Sequence, residues 1–133
     1  MIFENRLRIF NAFIAEFPKD RPVTKYLPEY FRRNKQMGSR DRRNLSNAIY
    51  SYFRLGNCLE ELKIDERLFV ALFLTTQNTD DFLTYFRPDL AERINLPFPD
   101  KVEFLQKIYP SFNFQALFPF HSHLSAGIAH DAF

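Results

Sequence analysis

Tryptophan is absent from this chain of 133 residues, cysteine occurs once, and glycine and histidine occur three times each. A lone cysteine, Cys58, excludes an internal disulfide, and with it the disulfide-stapled small secreted domain. Three glycines are too few for a glycine-rich loop, so no cradle for a nucleotide or for S-adenosylmethionine is encoded in these residues. Long apolar runs are missing as well. The longest, Leu68 to Leu74, spans seven residues, whereas a membrane-spanning helix needs about 20. The opening Met1-Ile2-Phe3-Glu4-Asn5-Arg6 has no basic start, apolar stretch or small-residue cleavage site, so it is not a secretory signal. A cytoplasmic protein with no membrane partner is expected.

What is abundant is phenylalanine, with 17 copies, joined by 6 tyrosines and 8 prolines. A hydrophobic share of 46% supports a real core in one domain of this length. Many Phe and Leu with little Gly point to helices joined by short proline-marked turns, not to a β-sandwich. The expected fold is all-α, a single domain of six or seven helices.

The apolar spacing places those helices. Ile2, Phe3, Leu7, Phe10, Phe13, Ile14 and Phe17 recur every three or four residues, and Pro18 stops the helix they define. Asp20 is the expected cap of a second helix with Pro22 in its first turn and Val23, Tyr26, Leu27, Tyr30 and Phe31 on its buried face. Pro28 should kink or interrupt it, and Gly38 should supply a left-handed stop. Ser39 is the expected N-cap of a third helix, buried through Leu45, Ala48, Ile49, Tyr52 and Phe53 and ended by Gly56. Asp65 is the expected cap of a fourth, whose Arg67–Leu74 stretch is apolar on most sides and should lie at the centre. A short helix follows from Asn78 or Thr79 to Phe86, then a turn of helix from Pro88 to Ile94, then a helix capped by Asp100 and closed by Pro110. Phe112, Phe114, Leu117, Phe118 and Phe120 read as an aromatic strap, and residues 123–133 as the start of another helix.

Charge is distributed unevenly. Residues 32–43 carry six basic groups (Arg32, Arg33, Lys35, Arg40, Arg42 and Arg43) and one acid, Asp41. That local charge of +5 stands in a chain of net charge +2, so the remainder is mildly acidic. A concentrated basic segment on an acidic body points to a polyanion, with RNA the leading choice, although such runs are also ordinary solvated surface. On the third helix Arg43, Asn47, Tyr50 and Arg54 follow at i, i+4, i+7 and i+11, forming one stripe away from Leu45, Ile49 and Tyr52. Basic groups with an exposed tyrosine, Tyr50, among them suit backbone contact plus stacking on RNA. The candidate RNA-binding residues are therefore Arg32, Arg33, Lys35, Arg40, Arg42, Arg43, Asn47, Tyr50 and Arg54. Gly38, Ser39 and Asp41 form a candidate structural corner, with Asp41 pairing Arg33, Arg40 or Arg42.

Other chemistry is poorly represented. His121, His123 and His130 lack the Cys, Asp or Glu companions of a structural zinc site. Cys58, between Asn57 and Leu59, has neither a base partner nor an activating neighbour and reads as a structural thiol. The acid pairs Glu60-Glu61 and Asp80-Asp81 look like helix-end charges. No catalytic residue, metal or cofactor is expected in this chain.

The segment from Tyr30 to Arg43, with its Gly38-Ser39-Arg40-Asp41-Arg42-Arg43 signature, and Ile49-Tyr50-Ser51-Tyr52-Phe53-Arg54-Leu55-Gly56 after it, resembles a known family. It is similar to the N-terminal region of bacterial RNA cytosine-C5 methyltransferases of the Sun/Fmu family, the Bacteroidetes-type members in particular. Leu124-Ser125-Ala126-Gly127-Ile128 also looks like the family's link toward the catalytic part. The resemblance implies a NusB-like helical domain, followed in the parent protein by a catalytic domain that uses S-adenosylmethionine. Cys58 matches neither the Pro-Cys nor the Thr-Cys context of the family's catalytic cysteines.

The expected role is to bind structured RNA, ribosomal by the resemblance, and to present it to the protein's own catalytic domain. Whether Arg40, Asp41 and Arg42 touch RNA or brace the corner stays open. The division expected is Asp41 with one arginine for the fold, and Arg43 with Arg32, Arg33 and Lys35 for RNA. Two other readings compete: a module that docks on the catalytic domain, and a free-standing antitermination-type factor. The Ala132-Phe133 ending, without a polar tail, leads to the expectation of a fragment of a longer protein.

Overall fold

The computed structural model describes residues 2–78 and 80–113, and among them the chain is all-α. Seven helices follow in order: α1 (Ile2–Glu16), α2 (Val23–Arg33), α3 (Ser39–Phe53), α4 (Ile64–Thr75), α5 (Asp81–Phe86), α6 (Pro88–Ala91) and α7 (Phe98–Ile108). The expected strap beyond Asn113, the last helix and all three histidines lie outside the described residues.

The centre is α4. Every residue from Leu68 to Leu74 is buried, as a helix that is apolar on all sides requires. It packs against α1, α3, α5 and α6. Around it the phenylalanines meet tyrosines edge to face. Phe13 lies 4.9 Å from Tyr30 and 5.5 Å from Tyr26, and Phe10 lies 5.2 Å from Tyr52. Such pairs add about 0.5–1.5 kcal/mol each beyond their area burial. They lock α1, α2 and α3 into one layer beside α4.

Polar groups tie the helices at fixed points. Asn11 Nδ2 donates to Asp65 Oδ1 at 2.8 Å, joining α1 to α4. The Ser51 and Thr75 hydroxyls meet at 2.9 Å between α3 and α4. Arg87 makes a two-pronged contact with Asp89, and its Nη1 also donates to Glu66 at 3.0 Å and Tyr109 at 2.9 Å. Lys101, fully enclosed on α7, donates from Nζ to the carbonyls of Phe73 at 2.8 Å and Thr76 at 2.7 Å. Those carbonyls sit at the C-terminal end of α4, where a positive charge meets the negative end of the helix dipole. Burial pushes the Lys101 ammonium below its ordinary pKa.

Several helix ends differ from expectation. Asp20 does not cap α2; Pro22 does, from extended backbone, and the helix runs uninterrupted through Pro28. Pro28 is exposed and removes only its own donor from the ladder. Gly38 is not a left-handed stop. Its φ of −76° and ψ of 172° are extended, and it is the N-cap of α3. Ser39 is accordingly the first helical residue and caps nothing with its side chain. The stop of α2 is Asn34, whose backbone N–H bonds to Tyr30 O at 3.0 Å and whose Nδ2 donates to the same carbonyl at 2.8 Å. An amide side chain thus does the work that a left-handed glycine does elsewhere. Lys63 and Pro97 precede α4 and α7, which places Asp65 and Asp100 inside the first turns. At α5 the cap is Asp80, accepting from Phe82 N at 3.0 Å.

Candidate functional site

The basic segment occupies the corner between α2 and α3, and its six cations split into two groups. Arg33 and Arg42 are folded onto the protein. Arg33 Nη2 donates to the Tyr26 hydroxyl at 2.9 Å, its guanidinium lies 5.7 and 5.8 Å from the Tyr26 and Tyr30 rings, and Nη1 approaches Glu16 at 3.5 Å. Arg42 Nε donates to Met37 O at 3.1 Å, with its guanidinium 5.6 Å over the Phe31 ring. Phe31 and Met37 pack in turn against the core. Arg42 therefore closes the turn that Asn34 opens. The four others, Arg32, Lys35, Arg40 and Arg43, are exposed and make no ion pair or side-chain hydrogen bond among the described residues.

Asp41 pairs with neither Arg33, Arg40 nor Arg42 among the described residues. It lines a cleft of about 710 Å³ instead. This cleft runs beside α3, between α1, the end of α4 and the start of α5. From α3 it takes Asp41, Asn44, Asn47, Tyr50 and Ser51, and from the C-cap of that helix Arg54. Three of the four stripe residues thus share one cleft, while Arg43 lies outside its lining; Tyr50 is not the exposed ring expected but is half-buried, packed against the core. Burial pushes the Arg54 guanidinium below its ordinary pKa.

From α1 the cleft takes Arg6, and from α5 Phe82. The Arg6 guanidinium sits 4.5 Å over the Phe82 ring. Burial pulls its pKa down, and the nearby carboxylates of Asp80 and Asp41 oppose that shift. Thr75 at the end of α4 and Asp80 at the start of α5 also line it, and sequence reasoning missed Arg6, Asn44, Thr75, Asp80 and Phe82 as cleft residues. For α3 a signal existed: Asn44, Asn47, Ser51 and Arg54 recur at i, i+3, i+7 and i+10 beside the apolar stripe, a polar seam on a helix face.

The buried Cys58 thiol donates to Asn113 O at 3.1 Å, and burial pushes its pKa up to about 11. A thiol held protonated in this way carries little thiolate at neutral pH. Among the described residues no group of His, Cys, Asp and Glu side chains is placed to hold a metal ion. None of the described helices is long and apolar enough to cross a membrane.

These features define an all-α domain with a basic corner and a polar cleft beside it. Compared with family models, with curated proteins and with solved structures, the chain finds no match.

Proposed function

We propose that this chain is an RNA-binding helical module. In that reading it is the NusB-like N-terminal domain of an S-adenosylmethionine-dependent RNA cytosine-C5 methyltransferase of the Sun/Fmu kind, a cytoplasmic enzyme. Its role is to hold structured RNA, ribosomal by the resemblance, for a catalytic domain outside this chain. One observation carries the reading. Four cations, Arg32, Lys35, Arg40 and Arg43, stand exposed at one corner with no carboxylate partner among the described residues. Concentrated charge of one sign, left unneutralised, attracts a polyanion and releases its counterions on contact. Contacts of this kind position a nucleic acid and read little of its sequence.

Arg40→Glu with Arg43→Glu tests the reading. A fluorescein-labelled RNA hairpin is titrated at several salt concentrations and followed by anisotropy. The double variant should bind more weakly, and its log–log salt slope should shrink by roughly 0.7–0.9 per lost phosphate contact. Equal affinity and equal slope, with the helical circular dichroism spectrum intact, would reject RNA binding at this corner.

A second reading draws on another observation. Ile2 and Tyr85 are exposed large apolar side chains, and Tyr85 packs on Phe3 next to Ile2, with its hydroxyl bonded to Glu4. This patch suits docking on the catalytic domain. Capture of the separately made catalytic domain, lost on Ile2→Lys, together with no salt-dependent RNA affinity, would favour docking.

A further inference from the structure

We infer that the cleft beside α3 receives one unpaired nucleotide of the bound RNA, with its base inside and its phosphate at the exposed corner. The inference rests on the RNA-binding reading above.

The size of the cleft, about 710 Å³, falls within the roughly 300–1,000 Å³ range of small-ligand pockets. Its chemistry narrows the occupant. Asn44 and Asn47 offer amide donors and acceptors, and Asp41 offers acceptors alone. A base edge carries just such a mixture: ring nitrogens and carbonyls that accept, and exocyclic amines that donate. A purely apolar guest would leave these amides and carboxylates unmatched, at a desolvation cost. A free anion is disfavoured too, because Asp41, Asp80 and Asp81 outnumber the lining arginines, Arg6 and Arg54.

A stacking platform is present. Arg6 lines the cleft and is held over Phe82 at 4.5 Å. A guanidinium plane fixed in this way is a surface on which an unstacked base can lie, and single-stranded RNA is recognised by such stacking and edge contacts. The phosphate then has its place outside. Arg40 stands one helical turn before Asn44, and Arg43 one turn before Asn47, so exposed cations flank the lip that the cleft residues form on α3. A negative interior beside a positive rim orients a nucleotide base-inward.

Two labelled RNA hairpins with the same stem, one carrying a single-nucleotide bulge and one fully paired, provide the test. Anisotropy titrations compare the wild-type chain, Asn47→Leu, Ala48→Phe and Arg40→Glu/Arg43→Glu. Ala48→Phe fills the cleft from its α3 wall. Asn47→Leu removes an edge partner at an exposed position, so it decides the matter if the first variant fails to fold. Wild type should prefer the bulged hairpin by about fivefold or more, the low end for one stacked base. Both cleft variants should lose that preference and keep the salt slope. The corner variant should weaken both hairpins alike and keep the preference. A wild type without preference, or folded cleft variants that retain it, overturns the inference while salt-dependent RNA binding stands. If wild type binds neither hairpin, both the inference and the reading beneath it fall.

Discussion

Arg67 and Tyr52 meet across the α3–α4 connection, where Arg67 Nη1 donates to the tyrosine hydroxyl at 3.0 Å and the guanidinium lies 5.0 Å from the ring. The remaining donors of Arg67 reach carbonyls of the same connection: Nη2 to Gly56 O at 2.9 Å, and Nε and Nη2 to Cys58 O at 3.2 and 3.0 Å. This connection contains two residues of positive φ, Gly56 at 58° and Leu59 at 55°. Leu59 is held there although left-handed backbone is uncommon for a side chain of its size. One planar cation therefore gathers carbonyls that the turn cannot satisfy from its own amides.

Removing that cation should unlatch the connection. Arg67→Met keeps the apolar stem but loses every donor. It should cost roughly 2–3 kcal/mol, in the range for hydrogen bonds to a charged group with carbonyls left behind. Tyr52→Phe removes a single partner and should cost about 1 kcal/mol. Urea denaturation of the two variants and of the double variant measures both. Because they share one contact, the double variant should lose less than the sum.

Lys101 invites a different measurement. Its ammonium is enclosed, bonded to two carbonyls and faced by no carboxylate in its hydrogen bonds. Lys101→Met fills the same channel without donors and should cost about 2 kcal/mol, whereas Lys101→Ala adds a cavity and should cost about 3–5 kcal/mol. The depressed pKa sets the pH dependence. Below the ordinary lysine value of 10.5 the unfolded chain holds the proton more firmly than the folded one. Raising the pH toward that value therefore favours the fold. Wild type should gain stability relative to Lys101→Met across this alkaline approach, and chemical denaturation at a series of pH values reads the difference.

The central helix was legible because Leu68–Leu74 is apolar all round, and burial on all sides is the only arrangement that suits such a helix. The α1 and α3 stripes were legible for the same reason of spacing. Helix starts were harder. Ser39, Asp65 and Asp100 are good capping types, yet the extended residue lies one or more positions earlier in each case, at Gly38, Lys63 and Pro97. Backbone geometry set those boundaries, and a propensity for capping cannot see it. The charge run was plain in the sequence, but its division was not. Whether Arg33 or Arg42 is held against neighbouring side chains depends on where Tyr26 and Phe31 stand, and that follows from how α2 packs. The cleft was least legible, since Arg6 and Phe82 come from helices far from α3 in the chain.

Cys58 gives a pH dependence of opposite sign to that of Lys101. Its pKa is raised from an ordinary 9.0 to about 11, because burial penalises the thiolate. The stabilisation is fully present below pH 9.0, where both states hold the proton. It is lost as the pH rises toward about 11, because the unfolded chain releases the proton first. Cys58→Ala should remove this decline from the stability profile. The thiol should also react slowly with an aromatic disulfide reagent at pH 8 in the native chain and rapidly once the chain is unfolded in urea.

The two groups of cations at the α2–α3 corner should separate cleanly when stability and RNA affinity are measured side by side. Arg42→Ala removes the hydrogen bond to Met37 O and the cover over Phe31, and should destabilise the chain by about 1 kcal/mol. Arg33→Ala loses the Tyr26 contact and should destabilise by a smaller amount, since its surroundings are open to solvent. Arg40 and Arg43 are exposed and make no ion pair or side-chain hydrogen bond among the described residues, so Arg40→Ala and Arg43→Ala should leave stability within about 0.5 kcal/mol. For RNA the order reverses. The exposed pair should lower affinity and flatten the salt slope, while the folded-back pair should change the slope less, because Arg33 has Glu16 at 3.5 Å and Arg42 is held against Met37 O and the Phe31 ring. Thermal melts and anisotropy titrations on the four single variants give both orders. If all four variants lowered RNA affinity equally, the corner would act only through its total charge, and the structural division between Arg33/Arg42 and Arg40/Arg43 would have no functional counterpart.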